Sequence, residues 1–393
     1  MSCFQAKTDS YVDAKWLSTK FIASLLAGAL VVAASATNVQ GKPVSAPGEK
    51  PTTQTNKDKL QTKSQKRTYG LGIQLQCTER TEPVDKSYDR IKEIAEISYT
   101  QRSWDEWLNK RSISFEEVPL ARSKGLKIYA ALDLLSYDDP RAHLILANKK
   151  FGLFADPKVK ADYLALVQEI AVRCKPEYFI LLVEANLYKD KNPADYEAFR
   201  KIYPEAVALV KRYSPATQVG VSITYGDHNN RDRIDAEDDL YFQKCVTDFD
   251  ERSDLLPVST YPFFYLSPEQ IPLDFLSRMA SFSRKPLFLT ETSWVSESFD
   301  LTAPKGINVT FKSSPDAQCR YYQKIAACAD YALSQKRKIE AINFISLNDP
   351  RPLSVAIFKV VNRQFAWFCS LAVSENSGKP KPAFQFMKAW KAQ

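Results

Sequence analysis

The sequence predicts an α/β protein built as a (β/α)8 barrel, or TIM barrel, and three observations lead to that prediction. Short apolar segments alternate with amphipathic segments eight times between residue 68 and the end of the chain. Strands that alternate with helices pair in parallel through crossover connections, and eight such units over roughly 250 residues or more are typical of this barrel. The glycine fingerprint of a nucleotide-binding open sheet is missing, because "GLG" at 70–72 lacks a third glycine and a following helix start. A doubly wound open sheet is therefore the weaker alternative.

The eight predicted strands share short apolar runs that end in turn-forming or polar residues. They lie at 69–75, 94–99, 126–133, 177–183, 218–225, 254–262, 286–291 and 340–349. Helical spacing of apolar residues is clearest at 157–174 and 316–335. Gly125 is predicted to end an earlier helix in a left-handed conformation.

Two segments before the barrel have other compositions. Residues 1–36 contain an apolar run at 21–36 that ends in the small residues Ala34-Ser35-Ala36, which is typical of a cleaved signal peptide. The run is short for a membrane span, which needs about 20 apolar residues, so an uncleaved N-terminal anchor is the alternative. Residues 37–67 lack apolar periodicity and are predicted to be a flexible linker. The barrel domain is thus expected to span 68–393 in a protein that is secreted or periplasmic.

Composition disfavours several classes of function. The formal net charge is +8, but no basic block with interleaved aromatics indicates nucleic-acid binding. With two histidines and no G-x-S-x-G segment, a Ser-His-Asp hydrolase is hard to build. No cysteine has the spacing of a zinc site, and no metal or organic cofactor is expected.

Six cysteines follow the predicted export segment, which itself contains Cys3. An even number suits disulfides in an exported protein, whereas buried free thiols are equally compatible with the sequence. The six are Cys77, Cys174, Cys245, Cys319, Cys328 and Cys369.

Two glutamates end the fourth and seventh predicted strands. Glu184 and Glu291 each follow an apolar run, and active sites of these barrels lie at the C-terminal ends of the strands. A buried carboxylate is costly unless it is paired or hydrated, so each glutamate is either functional or held in a salt bridge at the barrel mouth. Two facing carboxyls suit glycoside hydrolysis, in which one donates a proton and the other attacks the sugar carbon from about 5–5.5 Å away. Their environments must keep the first protonated and the second ionised.

Four segments resemble the clan A glycoside hydrolases, which are retaining (β/α)8 barrels. They are "VEANLY" at 183–188, "STYPFF" at 259–264, "ETSW" at 291–294 and "SLAVSENSGKPKPAF" at 370–384. The first is closest to the Asn-Glu-x-Asn-Leu pattern of the endo-β-1,4-galactanases. The resemblance covers about 69–391 and implies hydrolysis of a β-linked polysaccharide or oligosaccharide, with Glu184 as acid/base and Glu291 as nucleophile.

One position departs from the clan pattern. Val183 stands where these enzymes carry an asparagine that contacts the 2-hydroxyl of the sugar, and contacts to that hydroxyl strengthen in the transition state. Either the substrate or its binding geometry differs, or Asn186 substitutes, or catalysis is lost. The main alternative is therefore an inactive barrel that binds glycan or a cell-wall partner. A further alternative is an exported barrel with an unrelated lyase or hydrolase reaction.

Four more residues are candidates for the site. Tyr261 is expected to donate a hydrogen bond that keeps Glu291 ionised, and Trp294 to stack on a sugar ring. The resemblance implies that Arg102 holds the nucleophile charged, and His228 lies in a loop at the expected face. The competing interpretations are packing for Tyr261 and Trp294 and solvation for Arg102 and His228. Stable membrane insertion is not expected unless the N-terminal segment is uncleaved, and the sequence does not predict an oligomeric state.

Overall fold

The fold was analysed in a computed structural model of the chain. It describes residues 67–75, 82–103, 115–135, 144–145, 151–226, 234–302, 308–361 and 363–393. The predicted export segment and residues 37–66 of the predicted linker lie outside these ranges. Within these ranges, no helix combines the length and apolar character needed to cross a bilayer.

The structure contains one large parallel sheet and two small hairpins. In chain order the strands are β1 Gly70–Gln74, β2 Ile97–Ser103, β3 Lys127–Asp133, β4 Leu144–Ile145, β5 Phe151–Gly152, β6 Tyr178–Ile180, β7 Gln218–Gly220, β8 Ile223–Thr224, β9 Leu256–Ser259, β10 Leu287–Thr292, β11 Phe299–Thr302, β12 Asn308–Phe311 and β13 Ile339–Phe344. The parallel sheet has the order β7-β6-β3-β2-β1-β13-β10-β9-β8, while β4-β5 and β11-β12 are separate pairs.

The sheet closes into a barrel through its fifth strand. β7 and β8 belong to one segment, 218–224, interrupted by two residues. β7 pairs with β6, and β8 pairs with β9 on the other side. Counting this segment once gives eight parallel strands, so the predicted (β/α)8 barrel is confirmed.

Helices connect the barrel strands. They are α1 Val84–Ile94, α2 Glu117–Ser123, α3 Pro157–Arg173, α4 Ala185–Lys191, α5 Pro193–Tyr213, α6 Ala236–Thr247, α7 Phe275–Met279, α8 Pro315–Ser334, α9 Pro352–Val361 and α10 Pro382–Lys391. Three of the longest begin with proline directly after a residue whose side chain accepts from the first turn, namely Asp156, Asn192 and Ser314. Proline at this position lacks only an N–H that would be unpaired anyway, and the cap satisfies another. Gly125 has φ 79° and follows α2, as predicted.

Some boundaries differ from the prediction. The second strand begins at Ile97 rather than at residue 94, because Ile94 is the last residue of α1. The sixth and eighth strands end at Ser259 and Phe344, before the polar segments that were assigned to them. The hairpin β11-β12 and helix α9 were not predicted.

The lower barrel interior is filled by aromatic rings. The ring of Phe288 lies 4.9 Å from that of Tyr129 and 5.0 Å from that of Tyr178. The hydroxyl of Tyr178 donates to Glu340 at 2.8 Å across the start of the barrel. Because side chains fill this end, a ligand has access only to the opposite, C-terminal end of the strands.

None of the five cysteines in the described part of the chain is in a disulfide bond. Cys174, Cys245, Cys328 and Cys369 are buried, and Cys319 is half-buried. The disulfide alternative is therefore not realised among these residues, and Cys77 lies outside them.

Candidate active site

Glu184 lies at a sharp turn between the fourth barrel strand and α4. Residues 181–183 continue along the barrel after β6, with Leu181 N donating to Gly220 O at 2.9 Å and Val183 N to Leu132 O at 3.0 Å. Glu184 then adopts the left-handed conformation, with φ 51° and ψ 48°. A non-glycine residue in this region costs about 1 kcal/mol or more, so surrounding contacts must hold it. Glu184 is thus the residue at which the strand segment ends and after which α4 begins.

Asn186 supplies one of the contacts that hold this turn. Its Nδ2 donates to Thr224 O at 3.1 Å, and Thr224 N donates to its Oδ1 at 2.8 Å. Ala185 N also donates to Ser222 O at 2.9 Å. Asn186 therefore ties the start of α4 to β8 through both polar atoms of its amide. The expected sugar contact stays a prediction, because an amide can form further hydrogen bonds beyond these two.

The Glu184 carboxyl is almost fully buried. Its Oε1 accepts a hydrogen bond from the Ser259 hydroxyl at 2.6 Å, while its Oε2 is buried without a partner in the described part of the chain. Burial raises the pKa of Glu184 to about 7, against the lowering effect of the Ser259 and Thr224 hydroxyls. The carboxyl therefore retains its proton up to near-neutral pH and has one oxygen available to a ligand.

Glu291 lies near the end of β10, next to an irregularity in the strand pairing. The register with β9 shifts between Leu289 and Glu291, and such a bulge redirects a side chain relative to the regular alternation. The carboxyl oxygens accept from two phenols, with Tyr99 at 3.1 Å from Oε1 and Tyr261 at 3.2 Å from Oε2. Both oxygens are thus held by neutral donors.

One short segment contacts both glutamates. Ser259 donates to Glu184 and Tyr261 donates to Glu291, while Thr260 N donates to Glu291 O at 2.9 Å. Alternate residues in extended chain lie roughly 6.5–7 Å apart on the same side. The structure therefore brings the two carboxyls together at the C-terminal end of the barrel.

The two carboxyls influence each other electrostatically. Burial, together with the nearby carboxylates of Glu184 and Asp133, raises the pKa of Glu291 to about 8 against the lowering effect of Tyr99 and Tyr261. Two like charges at this distance disfavour simultaneous ionisation, so the pair shares one proton near neutral pH. The two phenol donors favour negative charge on Glu291, while Asp133 acts against it. The hydrogen bonds thus favour the proton on Glu184, whereas burial and the two acidic neighbours make the pKa of Glu291 the higher of the two; we assign the proton to Glu184 because both oxygens of Glu291 accept from phenols.

Trp294 is packed rather than open to a ligand. Its Nε1 donates to the Ser313 hydroxyl at 3.0 Å, and its ring lies 5.0 Å from that of Tyr321 and 6.0 Å from that of Phe263. Its exposed fraction is 4%. These contacts favour the packing interpretation of Trp294, because residues from two other segments cover its ring, and stacking on a sugar stays a prediction.

Two expected residues have no described side chain. Arg102 belongs to β2 and pairs with Leu132 in the backbone register, but its side chain lies outside the described part of the structure. His228 also lies outside the described residues. The predicted contacts of these two residues remain predictions.

An aromatic wall rises beside Glu291. We define it as Phe263, Phe264, Trp294, Phe299 and Trp367, all of which are buried. The Trp367 ring lies 5.5 Å from that of Phe263 and 5.3 Å from that of Phe264. The same indole lies 6.1 Å from the ring of Tyr261. The wall thus limits the cavity on the side of the sixth to eighth strands.

Sequence reasoning missed three residues of the site. Tyr99 is the last residue of the second predicted strand, at 94–99, and received no role although strand ends were the expected place of the site. Asp133 ends the third predicted strand, and this strand-end position was the signal that could have identified it. Ser259 belongs to the quoted "STYPFF" segment but received no role.

Comparison with known proteins supports the fold and not a specific activity. No family model matches the sequence, and no curated protein matches it. Among solved structures, a β-glycosidase is similar with a TM-score of 0.55 and 10% identity, over 78% of this chain and 85% of the other. A β-glucosidase in its apo form has a TM-score of 0.53 and 12% identity, over 81% and 92%. A fungal β-1,4-galactanase structure is similar with a TM-score of 0.51 and 12% sequence identity, over 78% of this chain and 91% of the other.

These similarities define the class of protein by fold. The chain has the (β/α)8 fold of the clan A glycoside hydrolases, and a galactanase is among the structures that share it. Identities of 10–12% establish the fold alone, so the activity must be argued from the residues at its own strand ends.

Proposed function

We propose that this protein is a retaining glycoside hydrolase that cleaves a β-linked glycan by double displacement. Glu184 protonates the leaving oxygen, and Glu291 attacks the anomeric carbon to form a covalent glycosyl-enzyme. Glu184 then takes a proton from the water that releases the sugar. None of these reaction steps uses a metal or an organic cofactor. Within the same proposal, the enzyme is secreted or periplasmic.

A single observation carries the proposal. Two buried carboxyls from distant parts of the chain contact one segment, 259–261, at the end of the barrel where such folds bind ligands. Their hydrogen bonds differ in the manner the mechanism needs. Glu291 has two donors that favour its charge, whereas Glu184 has an unpartnered oxygen for the proton. The β-glycosidase, β-glucosidase and galactanase structures of the same fold support a β-linked substrate.

The test combines a substrate panel with chemical trapping. Aryl β-glycosides and β-linked polysaccharides should include at least one that is hydrolysed with retention, as followed by NMR of the first-formed anomer. A 2-deoxy-2-fluoro glycoside with a good leaving group should label Glu291, and peptide mass spectrometry identifies the site. Glu291→Gln should abolish turnover, whereas Glu205→Gln on the outer face of α5 should not. Labelling at another residue, or full activity of Glu291→Gln, would refute the assignment.

A non-catalytic glycan-binding barrel is the second candidate, and Val183 favours it. This residue is buried and carries no group that can donate to a sugar hydroxyl. Binding of a glycan without hydrolysis across the panel would support this candidate. Val183→Asn provides a direct test, because a gain of hydrolysis in this variant would show that the missing amide is what limits catalysis.

A further inference from the structure

Tyr99 lies against Glu291 from β2, the strand that also contains the predicted site residue Arg102. It belongs to β2 and has an exposed fraction of 2%. Its hydroxyl lies 3.1 Å from Oε1 of Glu291, while the hydroxyl of Tyr261 lies 3.2 Å from Oε2. Each oxygen of Glu291 therefore has its own phenol donor, and the donors approach from different strands.

The ring of Tyr99 is held in place by its neighbours. It stacks on Tyr129 with a centroid distance of 4.4 Å and an interplanar angle of 17°. Tyr129 is the register partner of Tyr99 in β3 and packs in turn on Phe288. A side chain fixed in this way loses little further freedom when its hydroxyl bonds to a carboxylate.

The charges around Glu291 make these donors important. The titratable groups that face it are the carboxyls of Glu184 and Asp133 and the phenols of Tyr99, Tyr129 and Tyr261. In the described part of the chain, no Lys or Arg forms a salt bridge with Glu291 or Glu184. Negative charge on Glu291 is thus opposed by burial and by two acidic neighbours. Hydrogen bonds to a charged group contribute more than bonds between neutral groups.

We propose that Tyr99 is a positioning residue that keeps Glu291 ionised and correctly oriented by donating to the carboxyl oxygen that Tyr261 does not contact. The inference rests on the proposed function, because the nucleophile must be ionised to attack. It goes beyond that function by assigning the second donor. Tyr99 acts through the carboxylate of Glu291 rather than on the sugar.

The variant Tyr99→Phe removes the hydroxyl and retains the ring that stacks on Tyr129. We expect kcat to fall about 10-fold to 100-fold, which is the loss of one hydrogen bond to a charged group, while KM changes little. The acidic limb of the kcat profile should move to higher pH, because Glu291 without this donor ionises less readily. Tyr178→Phe is the matched control, since it removes a phenol–glutamate hydrogen bond at the opposite end of the barrel. An unchanged kcat and an unchanged acidic limb in Tyr99→Phe would overturn the proposal.

A second arm does not depend on turnover. The carboxyl of Glu291 is titrated by NMR in protein labelled with carbon-13 at glutamate Cδ, and its signal is assigned by its loss in Glu291→Gln. Tyr99→Phe should raise the pKa of this carboxyl, whereas Tyr178→Phe should not. If no glycan is hydrolysed but the titration shifts, the proposed function fails and the role of Tyr99 stands. If hydrolysis occurs and the titration does not shift, the role of Tyr99 fails and the function stands.

Discussion

Replacing Glu291 with Gln should stabilise the folded protein at alkaline pH while it removes the nucleophile. Burial, with Glu184 and Asp133 adding to it, raises the pKa of Glu291 in the folded state from 4.5 to about 8. An acid with a raised pKa binds its proton more tightly in the folded than in the unfolded state. The contribution of this bound proton to the free energy of unfolding is complete below about pH 4.5, where the carboxyl is protonated in both states. It declines as the pH rises and is lost above about pH 8, where the carboxyl is ionised in both states. A glutamine at this position carries no charge and avoids that decline.

The size of the effect follows from the displacement of the pKa. A shift of about three and a half units corresponds to roughly 5 kcal/mol at 1.36 kcal/mol per unit. This is an upper limit, because Glu184 and Glu291 share their charge and the variant relieves only one of the two. The phenol hydrogen bonds to the carboxylate already enter this value, because Tyr99 and Tyr261 lower the pKa. We therefore expect the free energy of unfolding of Glu291→Gln to exceed that of the wild type at pH 9 by less than about 5 kcal/mol and to differ little from it at pH 4.

Urea denaturation of the wild type and of Glu291→Gln between pH 4 and pH 9 measures this difference. The gap between the two free energies of unfolding should widen steadily with pH and level off near pH 8, the folded-state value. Glu205→Gln removes an exposed carboxyl on α5 that forms a surface ion pair with Lys160, and it should give a much smaller difference, because such exposed pairs contribute little. A constant gap for Glu291→Gln across the whole range would refute the reasoning, because it would mean that this carboxyl has the same pKa in both states.

Three further predictions concern the pH profile and two buried contacts. The kcat/KM of the wild type should follow a bell whose limbs reflect the carboxyl pair, near pH 7 and pH 8; a flat profile from pH 5 to pH 9 would contradict it. Asn186→Ala should lower the free energy of unfolding by about 2 kcal/mol in urea denaturation, because the backbone N–H and C=O of Thr224 lose their side-chain partners. It should also affect kcat more than KM, and wild-type stability would exclude the role of Asn186 in holding the turn. Lys381→Met should cost about 3 kcal/mol by leaving Asp349 buried without its cation, and adding Asp349→Asn should restore part of that stability.

The sequence predicted the barrel because its strands carry the signal in their own residues. The apolar runs at 126–133 and 286–291 can be recognised from neighbouring residues alone. Because active sites of these barrels lie at the C-terminal ends of the strands, Glu184 and Glu291 are then predicted to lie at the same end of the barrel. The hairpin β11-β12 was missed because its strands have four residues each. Such short segments show too little alternation to be distinguished from a loop.

The contacts of the site depended on neighbours that are distant in the sequence. Trp294 was expected to face a sugar, but Phe263 and Tyr321 cover its ring from the segments after β9 and in α8. Tyr99 received no role from the sequence; its ring packs on Tyr129 in the core, and its hydroxyl reaches Glu291 across the barrel. A residue can thus satisfy its core pattern and still contribute to a site, and only the register of the strands reveals the second role.

The apolar surroundings of Glu184 link Val183 to the acid itself. Desolvation is the largest cause of the raised pKa of Glu184, and Val183 is a buried apolar residue directly before it. Asparagine at that position would offer an amide to the substrate but would also bring a polar group to the turn, which tends to lower the pKa of the acid. Val183→Asn therefore has two opposing effects, a gained contact and a weaker hold on the proton. A higher kcat together with a basic limb of the pH profile displaced to lower pH would show both effects. A displaced basic limb without a higher kcat would mean that the valine serves chiefly to keep Glu184 protonated.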